Sequence, residues 1–177
     1  MPVDIAELIV DVPDYPKPGV GFFDITPLIA SPDGLAATIE QLVEAAPAEV
    51  DIVLGLEARG FIFAAPVAYA LGVGFVPARK PGKLPRATES VTYDLEYGTD
   101  TVAVHADALR PGARVLIVDD ILATGGTVAA SVELVRRLGA EVAGVLVVAE
   151  LTFLTGRDRL AAAGVPEVSA LVALEGG

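Results

Sequence analysis

The residues best suited to chemistry in this 177-residue chain lie between Arg114 and Ala130, which read RVLIVDDILATGGTVAA. An apolar run delivers two adjacent carboxylates, Asp119 and Asp120. The small-residue loop Ala123-Thr124-Gly125-Gly126-Thr127 and a helical pattern follow. A glycine-rich loop at a helix N-terminus offers free backbone N–H groups and the positive end of the helix dipole, which suits a phosphate. Gly125 and Gly126 let the backbone wrap an anion, and Thr124 and Thr127 add hydroxyl donors. The paired aspartates repel phosphate and suit neighbouring sugar hydroxyls or a hydrated Mg²⁺. Taken singly, an Asp-Asp pair after a strand is most often a turn, and a glycine pair before a helix is common; the whole run is far more specific. No G-x-x-x-x-G-K-[ST] string is present for an ATPase phosphate loop, and no G-x-G-x-x-G for a dinucleotide.

Two further places carry charge where chemistry is expected. Arg59 follows the apolar run Ile52 to Leu56 and Glu57. Its guanidinium can grip a pair of pyrophosphate oxygens as a fork, or it can form a local salt bridge with Glu57. Arg79, Lys80, Lys83 and Arg86 place four of the chain's 12 basic residues within eight positions. Such a run is usually a solvated face, but Pro81, Gly82 and Pro85 among them favour a mobile loop over a helix. The single histidine, His105, sits in a strand pattern and reads as structural.

The elements that must position these groups alternate. Ser31-Pro32-Asp33 starts a helix, with Ser31 as N-cap and apolar residues at helical spacing from Leu35 to Ala46. Asp51 to Leu56 reads as a buried strand, Phe61 to Leu71 as a helix closed by Gly72 and perturbed by Pro66, and Gly74 to Ala78 as a short strand. Arg114 to Asp119 is a strand, Val128 to Leu138 a helix, and Glu141 to Leu151 a strand. A short helix from about Thr155 and a strand near Val168 to Ala173 complete the pattern. Pro13 to Pro27 and Arg79 to Asp100 read as irregular. Apolar strands separated by helices predict an α/β fold with a parallel sheet covered on both faces. Leu56-Glu57-Ala58-Arg59, Asp119-Asp120 and Glu150-Leu151 fall at strand C-termini, the edge where open parallel sheets bind ligands.

Composition bounds the rest. The length fits one domain, and 53% hydrophobic residues supply an ample core. With no cysteine and one histidine, disulfides, thiolate catalysis and Cys- or multi-His metal sites are excluded. A net charge of −12 opposes binding to nucleic acid or anionic membrane. No signal peptide or membrane-length apolar run is legible, so a cytoplasmic location is expected.

The run from Arg114 to Ala130 resembles the 5-phosphoribosyl pyrophosphate (PRPP) signature of the type I phosphoribosyltransferases. Tyr15-Pro-Lys-Pro-Gly-Val, Glu57-Ala-Arg-Gly-Phe, Arg79-Lys-Pro-Gly-Lys-Leu-Pro, Tyr93-Asp-Leu-Glu-Tyr-Gly and Glu150-Leu-Thr follow the order of that family's adenine-using branch, over about residues 13 to 160. The resemblance implies the type I phosphoribosyltransferase fold: a twisted, mainly parallel sheet flanked by helices, with an N-terminal hood (about 1–30) and a flexible loop (about 79–100) in one domain. It implies a purine salvage reaction in which adenine and PRPP, accompanied by Mg²⁺, give AMP and pyrophosphate.

Carried over residue by residue, the resemblance assigns PRPP to Asp119, Asp120, Ala123, Thr124, Gly125, Gly126 and Thr127. Pyrophosphate falls to Arg59, Arg79, Lys80 and Lys83, with Arg59 and Glu96 catalytic; Glu96 would accept the proton that the adenine imidazole must lose. Tyr97 would cap the closed site, and Gly21, Phe22, Phe23 and Leu151 would hold the base, although Phe22 and Phe23 also read as plain core. The family often has Arg where this chain has Phe23. Lys17, Lys80 and Lys83 are the only lysines, so none lies in the C-terminal half to meet a 6-oxopurine carbonyl, and adenine is favoured. A homodimer is expected from the resemblance and the apolar excess. The rivals are a relative using another base and a PRPP-sensing regulator without catalysis.

Overall fold

A computed structural model describes residues 3–18, 21–95, 98–165 and 167–176, and the chain divides into two compact units, residues 1–41 and 42–177. In the first, a 3₁₀ turn at Ala6–Leu8 precedes β1 (Val10–Val12), β2 (Phe22–Asp24) and α1 (Thr26–Ala30). β1 and β2 pair antiparallel, Asp11 opposite Phe23. The sequence pattern made Pro13–Pro27 irregular throughout. In the structure β2 forms within it because its ladder partner is β1, and Pro27 is accommodated in the first turn of α1, where no N–H is needed. α2 (Pro32–Glu44) starts as expected, the Gly34 N–H donating to Ser31 Oγ at 3.1 Å.

The second unit is built on β3 (Ile52–Leu56), β4 (Gly74–Ala78), β7 (Arg114–Leu122), β8 (Glu141–Leu151) and β9 (Val168–Leu174). They form one sheet in the order β4-β3-β7-β8-β9, every pairing parallel. Between β3 and β4 lies α3 (Gly60–Leu71), between β7 and β8 α4 (Gly126–Arg137), and between β8 and β9 α5 (Gly156–Ala162). The chain leaves β3 toward one edge and β7 toward the other. Right-handed crossovers in opposite directions put α3 and α4 on opposite faces, so the strands are apolar on both sides. On one face Leu54, Leu56, Val115, Ile117, Val145 and Val147 join Val128, Val132 and Val135 of α4 and Leu160 of α5 in one cluster. On the other, Gly55 admits α3: a Cβ there would lie 2.7 Å from Ala64 Cβ. Pro66 lies inside α3 rather than at its start. Its missing N–H falls opposite the carbonyl of the exposed Ile62, where solvent can replace the bond.

The stretch Arg79–Asp100, expected to be irregular, contains a strand. β5 (Thr88–Asp94) pairs antiparallel with β6 (Thr99–His105), Val91 opposite Val102, and Val91, Val102 and Val104 join the α4 core. Its polar alternation hides a half-buried strand, since one face meets α4 and the other is exposed.

Candidate active site

The sheet order reverses between β3 and β7, and the crevice at such a switch point is where open parallel sheets bind ligands. Arg59, at the mouth of α3, and Asp120, near the end of β7, meet there with Nε 2.7 Å from Oδ2. The alternative partner for Arg59, Glu57, is taken by others. The strand expected to end at Asp119 runs on to Leu122, so that Asp119 and Asp120 lie within β7, with Asp119 paired across to Val147 of β8. Asp120 is buried, at 6% exposure. Asp119 lies against the start of α3: a Cβ on Gly60 would sit 2.7 Å from Asp119 Oδ1 and 3.2 Å from its Cα, so only glycine fits. Burial, then the adjacent Asp120 charge, pushes the Asp119 carboxyl well above the ordinary carboxylate range.

After β7 the chain turns into α4 through Gly125, whose φ of 76° is the left-handed conformation glycine tolerates. Asp119, Ile121, Leu122 and the whole Ala123–Thr127 loop line a cavity of about 80 Å³. The first N–H groups of α4 have no intrahelical acceptor and open into this loop. Its outer wall is the start of α5. A Cβ on Gly156 would lie 2.2 Å from the Ala123 carbonyl oxygen, and one on Gly125 would lie 2.8 Å from Gly156 O. Gly156 is thus part of the loop's construction, although 30 positions away in the chain it gives no local signal.

The basic segment leaves β4 beside this crevice. Arg79 Nη2 reaches Glu57 Oε1 at 3.1 Å, and the Lys80 N–H donates to Glu57 Oε2 at 2.7 Å. Burial opposes ionisation of Glu57, but the Lys80 N–H, the Arg79 hydrogen bond and the neighbouring positive charges outweigh it and hold its carboxyl below the usual value. Lys80 Nζ donates to Asp100 Oδ2 at 2.6 Å, which raises the ammonium's pKa. Lys83 is exposed and its charge acts on Glu57 alongside that of Arg79, whereas Arg86 pairs with Asp107 at the surface.

Tyr93 of β5, which carried no expected role, joins the two sides. Its hydroxyl lies 2.7 Å from Thr127 Oγ1 and donates to Asp100 Oδ2 at 3.3 Å. Glu150, at a strand end, is held by Arg157 through both carboxylate oxygens, and Leu151 beyond it is half-buried. In the first unit Gly21 is exposed, Phe22 and Phe23 are half-buried on β2, and Tyr15 packs edge-on against Phe22 with centroids 5.1 Å apart. Glu96 and Tyr97 lie outside the described residues.

Set beside known proteins, the chain matches the family model of the phosphoribosyl transferase domain over residues 25–168. It is 58% identical over 170 residues to the adenine phosphoribosyltransferase of Cutibacterium acnes, covering 96% of each chain. The structure is similar to the crystal structure of adenine phosphoribosyltransferase from Thermoanaerobacter pseudethanolicus, with TM-score 0.91 and 48% identity over 96% of this chain and 98% of that one. It is also similar to the Saccharomyces cerevisiae enzyme complexed with D-2,5-dideoxy-2,5-imino-altritol 1,6-bisphosphate and adenine, with TM-score 0.87 and 41% identity over 94% and 96% of the two chains.

Proposed function

The chain belongs to the type I phosphoribosyltransferases, and within them to the adenine phosphoribosyltransferases; from that membership we infer that it moves the 5-phosphoribosyl group of PRPP onto adenine, giving AMP and pyrophosphate in purine salvage. The observation that carries the reading is the crevice between β3 and β7. There a glycine-rich loop at a helix N-terminus and the Arg59–Asp120 pair stand at adjoining strand ends.

The roles divide by charge. Ala123, Thr124, Gly125, Gly126 and Thr127 take the 5-phosphate on backbone N–H groups and two hydroxyls. Asp119 accepts from a ribose hydroxyl, an interaction that favours its ionised form, while Asp120 holds Arg59 toward the pyrophosphate. Arg79 and Lys80 are engaged by Glu57 and Asp100, so they reach pyrophosphate by exchanging those partners, together with the exposed Lys83. Departure of pyrophosphate leaves positive charge on the sugar, and catalysis is mainly positioning and charge stabilisation. Glu96 accepts the proton lost from adenine, and Tyr97 caps the loop over the site, excluding water. Gly21, Phe22 and Phe23 take the purine, with base recognition through the main chain at Phe23.

Among the described residues no three acidic or histidine side chains gather into a metal site. Asp119 and Asp120 are the adjacent carboxylates that would hold Mg²⁺ arriving on the substrate phosphates, since this ion keeps waters and takes only one or two carboxylates. Held there, the ion would supply neutralisation of the pyrophosphate charge. Ile62 and Tyr69, seven residues apart on α3, are exposed at 37% and 88%, an apolar face that a second copy would cover in a homodimer. No helix among the described residues is long and apolar enough to cross a membrane.

The test is nucleotide formation from PRPP and Mg²⁺ with adenine, hypoxanthine and guanine in parallel. AMP formation that stops when the metal is chelated, and that falls about 10²-fold or more in Glu96→Gln, is expected. Turnover only with an oxopurine would overturn the base assignment, and PRPP binding without turnover would promote the regulator.

A further inference from the structure

We propose that Tyr93 is a positioning residue for the 5-phosphate loop: its hydroxyl orients that of Thr127, so that Thr127 donates its proton to the bound phosphate. The inference rests on the reading of residues 123–127 as the phosphate site.

Two independent observations carry it. The first is contact. A Cβ on Gly126, the first residue of α4, would lie 3.0 and 3.1 Å from the Tyr93 ring carbons, so the ring is seated directly on the loop's last turn. The second is the proton count. Each hydroxyl has one proton, and three oxygens stand in a row: Asp100 Oδ2, Tyr93 Oη and Thr127 Oγ1, at 3.3 and 2.7 Å. If Tyr93 donates to Asp100, Thr127 spends its proton on Tyr93 and can only accept toward a ligand, which a phosphate oxygen cannot use. If Tyr93 donates to Thr127, the Thr127 proton is released to the phosphate. With ribose 5-phosphate bound and no pyrophosphate to draw Lys80 away, Asp100 tolerates the loss of the longer bond because Lys80 Nζ at 2.6 Å and the Thr101 N–H at 2.8 Å already satisfy it. Phosphate binding therefore turns the tyrosine proton from Asp100 to Thr127.

The experiment measures dissociation constants of ribose 5-phosphate and of pyrophosphate, separately, for the wild-type enzyme, Tyr93→Phe, Thr127→Val and the double variant, with thermal midpoints alongside. Tyr93→Phe is expected to weaken ribose 5-phosphate by about three- to tenfold, the factor for one neutral hydrogen bond. It should leave pyrophosphate within about twofold and add nothing in the Thr127→Val background. Equal weakening of both ligands, or a Tyr93→Phe effect that persists without the Thr127 hydroxyl, would make the residue merely structural and overturn the proposal. If Thr127→Val weakens ribose 5-phosphate and Tyr93→Phe does not, the proposal fails alone. If Thr127→Val is itself silent, Thr127 gives no proton to the phosphate and the proposal falls; if the wild-type enzyme does not bind ribose 5-phosphate, the phosphate-loop reading falls with it.

Discussion

Gly156→Ala tests whether the phosphate loop is held in shape by its neighbour. The added Cβ would stand 2.2 Å from the Ala123 carbonyl oxygen, with Leu122 Cγ at 3.1 Å and the Ala123 carbonyl carbon at 3.2 Å. Contacts under 3.0 Å are essentially never seen, so the Ala123 carbonyl or the α5 start must retreat by most of an ångström, and both are backbone. Overpacking of this kind costs about 1–3 kcal/mol. In a domain of this size each kcal/mol lowers the melting temperature by about 2–4 °C, so a fall of about 2–12 °C is expected. The displaced segment carries the phosphate donors, and a misplacement near 1 Å can cost about 10²-fold in rate. Steady-state kinetics should therefore show a raised KM for PRPP and a lowered kcat/KM. Differential scanning calorimetry and PRPP kinetics on the purified variant measure both. A variant that melts with the wild type and keeps its KM for PRPP would refute the argument, because the two segments would then not be pressed together.

Arg59→Ala is expected to destabilise more than Asp120→Asn, since it strands a buried carboxylate whereas the reverse change leaves a guanidinium that is 39% exposed. Arg59→Ala should cost about 1–3 kcal/mol and the double variant less than the sum of the singles, both read from urea midpoints. Equal losses would place the pair in solvent. The Asp100–Lys80 pair gives a pH signature. Burial opposes ionisation of Asp100, but the Lys80 and Thr101 hydrogen bonds prevail and depress it below 3.8, so its contribution is present above that value and disappears as pH falls through the depressed one. The raised Lys80 contributes fully below 10.5 and loses that contribution as pH rises through its elevated value. The stability difference between wild type and Asp100→Asn should therefore be widest at neutral pH and close at the acid end, as followed by urea unfolding from pH 7 downward. A constant difference would exclude the pair as its source.

Much of this site was legible in the chain. The run Arg114–Ala130 sets an apolar strand, two carboxylates, a glycine loop and a helix in covalent order, so their proximity needs no tertiary information. The same holds for Arg59 after β3 and for the Ser31 cap, because caps and strand ends are local chemistry. Apolar strands alternating with helices likewise determined a parallel sheet, since only a sheet covered on both faces tolerates strands without a polar side.

Tertiary structure decided the partners. The chain offered Arg59 only its near neighbour Glu57 as a counter-charge; Asp120 takes that place because β7 lies next to β3 in the sheet, an adjacency between residues 61 apart that no local pattern encodes. β5 looked irregular because a strand with one solvated face and prolines upstream has the composition of a loop; it is recognisable only once β6 and α4 cover it. Tyr93, Asp100 and Gly156 acquired roles for the same reason. Each is an ordinary residue by type, made significant by a close approach across the fold. Sequence determines what the covalent neighbours of a loop can do, and packing determines which distant atoms stand within hydrogen-bond or van der Waals reach of it.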